Sequence, residues 1–259
     1  MLANQLFPCG ILFFPHQARQ VIFIAFFSNS VMILIERGGL MKIHYLYHSG
    51  FFIEQEHHYL LFDYYQGTLP LLDKEKPLYI FISHAHYDHY NPAVLSLASY
   101  YPKCRIIAAD LHEEGFLEVR PDERYIVDDI EIQTLNSTDE GVAFLIKSEG
   151  SYLYHAGDLH LWYWEEDTKQ QRREMYERYR NEMEKLKGIP IDAAFVVLDS
   201  RQEEKDALAG IELFNEIADA KHVFVMHFSD DEDKMEERLL KIKNNRNIIN
   251  TRRNTCYEI

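Results

Sequence analysis

The stretch that decides the fold reads Ser83-His84-Ala85-His86-Tyr87-Asp88-His89, and it follows the apolar run Leu78-Tyr79-Ile80-Phe81-Ile82. The apolar run predicts a buried strand. Because residues two apart share one face of an extended chain, His84 and His86 can direct their imidazoles at one point. After a turn, Asp88 and His89 can supply a carboxylate and another imidazole to a neighbouring point. These ligand types are typical of Zn²⁺ or a similar divalent metal.

The pattern His84-x-His86-x-Asp88-His89 resembles the signature loop of the metallo-β-lactamase fold hydrolases. The resemblance implies an α/β fold, a four-layer αβ/βα sandwich in which two mixed sheets lie between outer helices. It also implies a cofactor of one or two divalent metal ions. Zinc is the ion that we expect, and manganese and magnesium are the alternatives. Strands and helices alternate in the last third of the sequence, which also favours a sheet covered by helices.

Two further positions carry the same resemblance. Asp158, preceded by Gly157 and a predicted strand, resembles the family's second metal motif, in which the Asp bridges both ions. A carboxylate can bridge because it has two oxygens. His227 stands at the end of a predicted strand and resembles the family's last metal ligand. The resemblance therefore implies the following metal ligands: His84, His86, Asp88, His89, Asp158 and His227.

The sequence lacks one ligand that the family normally supplies, a further His in a loop between the two motifs. The corresponding loop, 136–141, contains no His. Three explanations are open. The first ion is held weakly by His84, His86 and Asp158, or an oxygen donor such as Asp139 substitutes and favours a harder ion, or only the second site is occupied.

His160, two residues after the proposed bridging Asp, is another candidate substitute for the missing ligand. The segments 137–141 and 157–159 are similar to a branch of the family near the ascorbate-6-phosphate lactonases and other zinc-dependent hydrolases of this fold. The resemblance covers the chain from Met41 to the C-terminal strand.

Several residues outside the ligand set have a predicted role at the site. In the family an acidic residue at the position of Asp63 supports the metal-ligand loop from behind, and a helix or turn cap is the alternative role. Trp162 and Trp164 line a substrate pocket or pack in the core. Arg201 holds an anionic substrate or makes a surface ion pair. His48-Ser49-Gly50 resembles a turn common at the first hairpin of the family.

Hydrophobic patterns predict the secondary structure along the rest of the chain. The further predicted strands are Lys42–Tyr47, Phe51–Glu54, Tyr59–Phe62, Ile106–Ala109, Tyr125–Val127, Ile130–Leu135, Val142–Ile146, Tyr152–His155, Ala193–Leu198 and Val223–Met226. The predicted helices are one that begins at Asn91-Pro92, then Leu161–Lys187, Asp206–Ala218 and Glu232–Lys243.

Residues 1–40 differ from the rest, so we divide the chain into an extension, 1–40, and a hydrolase domain, 41–259. The apolar stretch Val21–Ile35 is shorter than the roughly 20 residues that span a bilayer. Three interpretations are open: translated upstream sequence before a natural start at Met41, a hydrophobic leader or membrane anchor, or part of the fold. Codons for residues 36–41 can contain a ribosome-binding sequence, which favours the first.

Composition limits the partners and the compartment. The 27 basic and 42 acidic residues give a net charge of −15, which disfavours nucleic acid and anionic membranes as partners. A membrane becomes a partner only if residues 1–40 are an anchor. Cys9, Cys104 and Cys256 are odd in number and far apart, so we predict a reducing, cytoplasmic location and no thiolate metal site. The sequence does not indicate an oligomeric state.

We predict a metal-dependent hydrolase from these features. Metal-activated water would attack an ester, lactone, amide or phosphoester of a small substrate, with an anionic substrate as one option. Asp88 is the candidate catalytic residue, since it would orient that water or bind the second ion. The alternatives are an RNA or DNA phosphodiesterase of the same fold and a non-catalytic metal-binding or regulatory protein.

Overall fold

Residues 40–242 and 247–259, which the computed structural model describes, form fourteen strands and four helices. The strands are β1 Lys42–Tyr47, β2 Gly50–Glu54, β3 Tyr59–Phe62, β4 Leu78–Ile82, β5 Cys104–Ala108, β6 Phe116–Glu118, β7 Arg124–Val127, β8 Ile130–Asn136, β9 Val142–Ser148, β10 Ser151–His155, β11 Pro190–Val197, β12 Asp219–Met226, β13 Ile248–Ile249 and β14 Cys256–Glu258. The helices are α1 Ala93–Tyr100, α2 Lys169–Glu184, α3 Glu204–Ile217 and α4 Glu232–Leu239.

In this part of the chain the strands form two seven-stranded sheets with the orders β14-β1-β2-β3-β4-β5-β6 and β13-β12-β11-β10-β9-β8-β7. Both sheets are mixed. In the first, β1 to β3 pair antiparallel and β3 to β6 pair parallel. In the second, β7 to β10 pair antiparallel and β10 to β13 pair parallel. The predicted α/β sandwich of two mixed sheets with flanking helices is confirmed.

The main core lies between the sheets, and strand alternation explains how β4 serves it. Tyr79 and Phe81 point into the main core, whereas the intervening residues of β4 belong to a second core with Val94 of α1. An extended chain places successive side chains on opposite faces of the sheet. A strand that is apolar throughout therefore packs against apolar side chains on both faces of the sheet. Across the main core the Phe81 and Phe144 rings are 5.4 Å apart, and Phe51 and Phe195 are 4.3 Å apart.

The prediction of a helix over Leu161–Lys187 is partly wrong, because α2 begins only at Lys169. Thr168 caps the helix: its side chain accepts a hydrogen bond from the Gln171 N–H, and the Gln171 side chain accepts one from the Thr168 N–H. This reciprocal pair fixes the first turn and ends the preceding segment as non-helical chain. The segment before α2 is therefore irregular, and within it Trp162 reaches the Asp158 carbonyl oxygen.

Two glycines bring the loops of the second sheet against the metal loop. Gly141 and Gly157 have φ values of +68° and +52°, a region that favours glycine. A Cβ at Gly141 would lie 2.0 Å from the Ser83 carbonyl oxygen, and one at Gly157 would lie 2.7 Å from the Ser83 Cβ. The Val142 N–H donates to the same carbonyl oxygen at 3.0 Å. Any larger residue at either position would push the two sheets apart at this edge.

The interpretations of residues 1–40 concern a segment that, apart from Leu40, lies outside the described residues, as does the end of the predicted helix at Lys243. Among the helices of the described part, none combines the length and the apolar character that crossing a bilayer requires. The cytoplasmic location stays a prediction.

Candidate metal centre

Within the described residues, two groups of side chains place potential metal-ligand atoms within 4.8 Å of one another. The first group consists of His84, His86 and Asp158. The second group consists of His48, Asp88, His89 and His227. The structure thus brings together all six side chains that the sequence singled out as ligands, and it adds His48. The carboxyl ends of β4, β10 and β12 position most of them at one edge of the sandwich.

The loop after β4 places the two imidazoles of the first group side by side. The His84 and His86 rings have centroids 4.6 Å apart, and the His89 N–H closes the following turn on the His86 carbonyl oxygen at 3.0 Å. His84 is buried, whereas His86 is exposed. Asp88 has 29% of its side chain exposed. The centre therefore opens to solvent at His86 and Asp88.

Asp158 lies between the two groups and faces each with a different oxygen. Its Oδ2 is 3.4 Å from the Nε2 of His84. Its Oδ1 is 3.1 Å from the Nε2 of His89 and 3.1 Å from the Nε2 of His227. A carboxylate oriented in this way can contact one ion on each side. The arrangement supports the bridging role that the sequence suggested for Asp158.

His89 is held from behind by a buried carboxylate. Its Nδ1 is 2.8 Å from Asp63 Oδ2, which also accepts from the Ser83 hydroxyl at 2.7 Å. A carboxylate only accepts, so the His89 Nδ1 carries the proton, and a neutral ring then presents its Nε2 lone pair to Asp158. Two acceptors facing each other at 3.1 Å repel unless a cation or a second proton lies between them.

His227 repeats this arrangement on the other side of the centre. Its Nδ1 is 2.8 Å from Asp199 Oδ2, so its Nε2 also faces Asp158 with a lone pair when the ring is neutral. Arg201 fixes Asp199 in turn, because its Nη2 donates to Asp199 Oδ2 at 2.6 Å and its backbone N–H donates to Oδ1 at 2.7 Å. A carboxylate behind a histidine is the usual way that proteins orient an imidazole toward a metal.

The serine that precedes the motif orients His84. Since the Ser83 hydroxyl donates to Asp63, it can accept from the His84 Nδ1–H, and these two atoms are 3.0 Å apart. The Nε2 of His84 is then left as a lone pair directed at Asp158. Asp63 therefore supports two imidazoles at once, one directly and one through Ser83. These contacts support the prediction that Asp63 stands behind the metal loop.

Buried polar atoms without a hydrogen-bond partner provide the test for a metal. In the described residues these atoms include the Nε2 atoms of His48, His84 and His89 and the Oδ1 atom of Asp158. Buried polar atoms are nearly always satisfied in proteins, so four in one place require an explanation. Imidazole nitrogens and carboxylate oxygens are the ligands that zinc prefers. The residues of this centre fit a divalent cation.

The pKa shifts of His89 and Asp158 also indicate that the centre needs positive charge. Burial by itself lowers the pKa of His89, but the carboxylates of Asp158 and Asp63 outweigh burial and raise it to about 10. Burial by itself raises the pKa of Asp158, but His89 and His227 hold it well below its usual range. The carboxylates therefore require positive charge among these rings, which either protons or a divalent cation can supply.

The two proposed substitutes for the missing ligand lie outside both groups of ligands in the described part of the chain. Asp139 is exposed, and partial burial together with Asp158 raises the pKa of its carboxyl group. His160 is buried, and its Nε2 is 2.9 Å from the side-chain oxygen of Gln202. Its ring packs against Gly210, where a Cβ would lie 2.3 Å away. The structure thus gives His160 a packing and hydrogen-bonding role outside both groups of ligands.

The two tryptophans differ in how they meet the centre. Trp162 is buried, donates its indole N–H to the Asp158 carbonyl oxygen at 2.9 Å, and has its ring 5.6 Å from that of His227. Trp164 is half-buried and stacks parallel to Trp162 at 6.1 Å. The guanidinium of Arg201 is 6.0 Å from both rings, and 64% of its side chain is exposed. Substrate contact by these residues stays a prediction.

Sequence reasoning missed two functional candidates. The sequence predicts only a hairpin turn at His48. It places Asp199, with Arg201, at the end of a predicted strand that faces the same rim, but it does not indicate that Asp199 supports His227. The position of Asp199 offered a signal, because only Leu198 separates it from the apolar strand β11, much as Ser83 follows β4. No comparable spacing marks His48, which joins the centre from the turn between β1 and β2.

Comparisons with known proteins identify the family. Residues 42–173, about half of the chain, match the family described as the beta-lactamase superfamily domain. A "UPF0173 metal-dependent hydrolase" of Methylacidiphilum infernorum is 48% identical over 54 residues, which are 19% of this chain and 24% of that protein. The match thus spans about a quarter of the relative's length.

Solved structures with the same fold extend the comparison over most of the chain. Igni18, described as a novel metallo hydrolase from Ignicoccus hospitalis, superposes with a TM-score of 0.61 at 17% identity and covers 85% of this chain and 98% of that one. The metallo-beta-lactamase fold protein YhfI of Bacillus subtilis has a TM-score of 0.57 at 13% identity and covers 85% and 99%. The chain therefore belongs to the beta-lactamase superfamily, the family of metal-dependent hydrolases that share the metallo-β-lactamase fold.

Proposed function

We propose that the chain is a metal-dependent hydrolase that cleaves a small substrate at the edge formed by the two ligand groups. One observation carries the proposal: the buried Nε2 atoms of His84 and His89 face the two carboxylate oxygens of Asp158, and both nitrogens and the Asp158 Oδ1 lack hydrogen-bond partners. Buried polar atoms are nearly always paired, so several unpaired ones that face each other indicate a ligand between them. The family assignment favours a cation as that ligand.

The ligand types favour zinc, with manganese and magnesium as the alternatives. A divalent cation here supplies Lewis acidity, which polarises a carbonyl or phosphoryl oxygen and makes water more acidic. The chain supplies orientation. Asp63 and Asp199 fix the tautomers of His89 and His227. Asp88 is partly exposed at the mouth of the centre, where its carboxylate can accept a proton from an attacking water.

The substrate that we propose is a small ester, lactone, amide or phosphoester. Arg201 favours an anionic one, because its guanidinium is largely exposed beside the half-buried Trp164 while Asp199 anchors its other edge. The net charge of −15 argues against nucleic acid, since the phosphate backbone is bound mainly through Lys and Arg. An exposed guanidinium can still recognise a single anionic group.

The test combines metal analysis with a substrate screen. Protein purified without added metal is analysed for bound ions and assayed against panels of esters, lactones, amides and phosphoesters. We expect at least one divalent ion per chain and turnover of one class. Asp158→Asn should lower the metal content and abolish turnover. Asp219→Asn, the same change at an exposed position at the start of β12, should affect neither.

Other outcomes would replace the proposal. A fully metal-loaded chain that cleaves none of the small substrates would favour a regulatory or metal-binding protein. Salt-sensitive binding and cleavage of single-stranded RNA would favour the phosphodiesterase instead. A chain that binds no divalent ion would overturn the hydrolase assignment itself.

A further inference from the structure

His48 stands where three strained backbone positions meet. It follows β1 and has a φ of +54°, and His227 and Ser229 have φ values of +74° and +48°. Residues other than glycine rarely adopt this region, and such strain persists only where the surroundings enforce it. The His227 N–H donates to the His48 carbonyl oxygen at 2.9 Å, so the hairpin turn and the end of β12 are tied together.

The ring of His48 lies against the second group of ligands. Its centroid is 4.0 Å from that of His227 and 5.5 Å from that of His89. Its Nδ1 is 3.0 Å from the Ser229 hydroxyl oxygen. A hydroxyl can accept there, which leaves the lone pair on Nε2. That Nε2 is buried without a hydrogen-bond partner and is 3.6 Å from Asp88 Oδ2, too far for a good hydrogen bond.

A neighbouring histidine shows how a purely structural ring behaves at the same edge. His155 is buried, its Nε2 is 2.9 Å from the Ser49 carbonyl oxygen, and its Nδ1 accepts from the Gly157 N–H at 3.2 Å. Both of its nitrogens are satisfied within the chain. His48 uses only one nitrogen in this way, and its second nitrogen points at side chains that themselves need a cation.

We propose that His48 is an additional imidazole ligand of the ion held by Asp88, His89 and His227. This inference rests on the proposed metal-dependent function and adds a ligand that no sequence motif indicated. The second group then offers three imidazoles, whereas the first group offers two and shares Asp158. The imbalance makes the second group the tighter site and leaves the ion at His84 and His86 more exchangeable.

The test measures metal affinity in the full-length chain. Metal-stripped wild type and variants are titrated with Co²⁺ and Zn²⁺, and the visible Co²⁺ spectrum reports ligand number. His48→Asn is the informative variant, because Asn tolerates a positive φ but is too short to reach the ion. We expect two separated affinities in the wild type. The variant should weaken the tighter one at least about tenfold, change the Co²⁺ spectrum and leave the weaker one unchanged.

Two controls separate a ligand from a structural residue. His89→Asn should abolish the tighter event, and His58→Asn, a change at a buried histidine outside both groups, should preserve both events. The unfolding temperature of stripped His48→Asn should stay close to that of the stripped wild type, which separates the loss of a ligand from the loss of the fold.

Each failure has its own signature. Wild-type affinities and an unchanged spectrum in His48→Asn, with loss in His89→Asn, would overturn the role of His48 and leave the proposed function standing. Absence of Co²⁺ and Zn²⁺ binding in the wild type would overturn both.

Discussion

Two clusters of histidine, serine and carboxylate residues in this protein look alike in composition and differ in what they leave unpaired. One is the metal centre at the end of β4, with Ser83, His89 and Asp63. The other, which we call the hairpin cluster, consists of Gln55, His58, Ser148 and Glu149. In the hairpin cluster His58 Nε2 is 2.6 Å from the Ser148 hydroxyl oxygen, and His58 Nδ1 is 3.3 Å from Glu149 Oε1.

The polar side chains of the hairpin cluster find their hydrogen-bond partners within the chain. The Ser148 hydroxyl donates to the Gln55 side-chain oxygen at 2.7 Å, and Glu149 accepts from the His57 N–H at 2.7 Å. None of its side-chain atoms is among the buried polar atoms of the described residues that lack a partner. Ser148, His58 and Glu149 have the residue types of a catalytic triad. Ser148 is buried, however, so its hydroxyl cannot reach a substrate as a nucleophile. The difference shows that unpaired atoms, more than residue types, separate a metal site from a structural network.

The largest expected effect comes from removing the shared charge of the metal centre. Asp158→Asn keeps the shape of the side chain but removes the negative charge that the cations on both sides would need. We expect loss of at least one bound ion and a fall in hydrolytic activity of several orders of magnitude, because the cation activates the water. Elemental analysis of the purified variant provides the check. Full metal occupancy would mean that Asp158 is only a turn residue.

The next effect compares the carboxylates behind the histidines of the two clusters. Asp63→Asn should weaken metal binding by about 10- to 100-fold, because His89 loses its orienting partner. Glu149→Gln, the equivalent change in the hairpin cluster, should leave metal affinity unchanged and lower the free energy of unfolding by about 1 kcal/mol. Isothermal titration and urea unfolding measure the two quantities. Equal effects of both changes on metal affinity would erase the distinction between the clusters.

His58 of the hairpin cluster should also affect how the free energy of unfolding depends on pH. Burial lowers the pKa of His58 and outweighs the nearby Glu149 carboxylate. The folded state therefore takes up this proton later than the unfolded state does as the pH falls, so stability is lost below about pH 6.5. In metal-stripped protein, His58→Gln should flatten part of this loss between pH 7.5 and 5.5. An unchanged slope of unfolding free energy against pH would show that His58 does not contribute.

The smallest effect tests the open side of the metal centre. Asp139 is exposed and lies outside both ligand groups in the described residues, so Asp139→Ala should change the weaker metal affinity by less than about twofold. Asp139 would be the substitute ligand if the variant lost that weaker event. In that case the loop would move on metal binding.

The sequence was informative where a residue type coincided with the end of a strand. His84 could be predicted as a ligand because it follows a clear apolar run and shares a strand face with His86, and the resemblance to the family added Asp158 and His227 at the ends of predicted strands. His48 could not be predicted, since its role depends on a strained turn meeting the end of β12 far along the chain. The early start predicted for the helix at Leu161 failed because a capping box at Thr168 outweighed the apolar pattern.

The short edge strands could not be predicted from the sequence either. The strands β6, β13 and β14 have two or three residues each, too few for a periodic pattern to show. They form only by pairing with strands that are already in place, such as β1 with β14. Long-range pairing of this kind leaves no local signal.

Anomalous X-ray diffraction from crystals grown with Zn²⁺ tests the central claim most directly. We predict a strong peak bounded by the Nε2 atoms of His89 and His227 and by Asp158 Oδ1, and a weaker peak beside His84 and His86. A centre without a peak, with direct hydrogen bonds from protonated His89 and His227 to Asp158 and zinc bound only elsewhere, would contradict it.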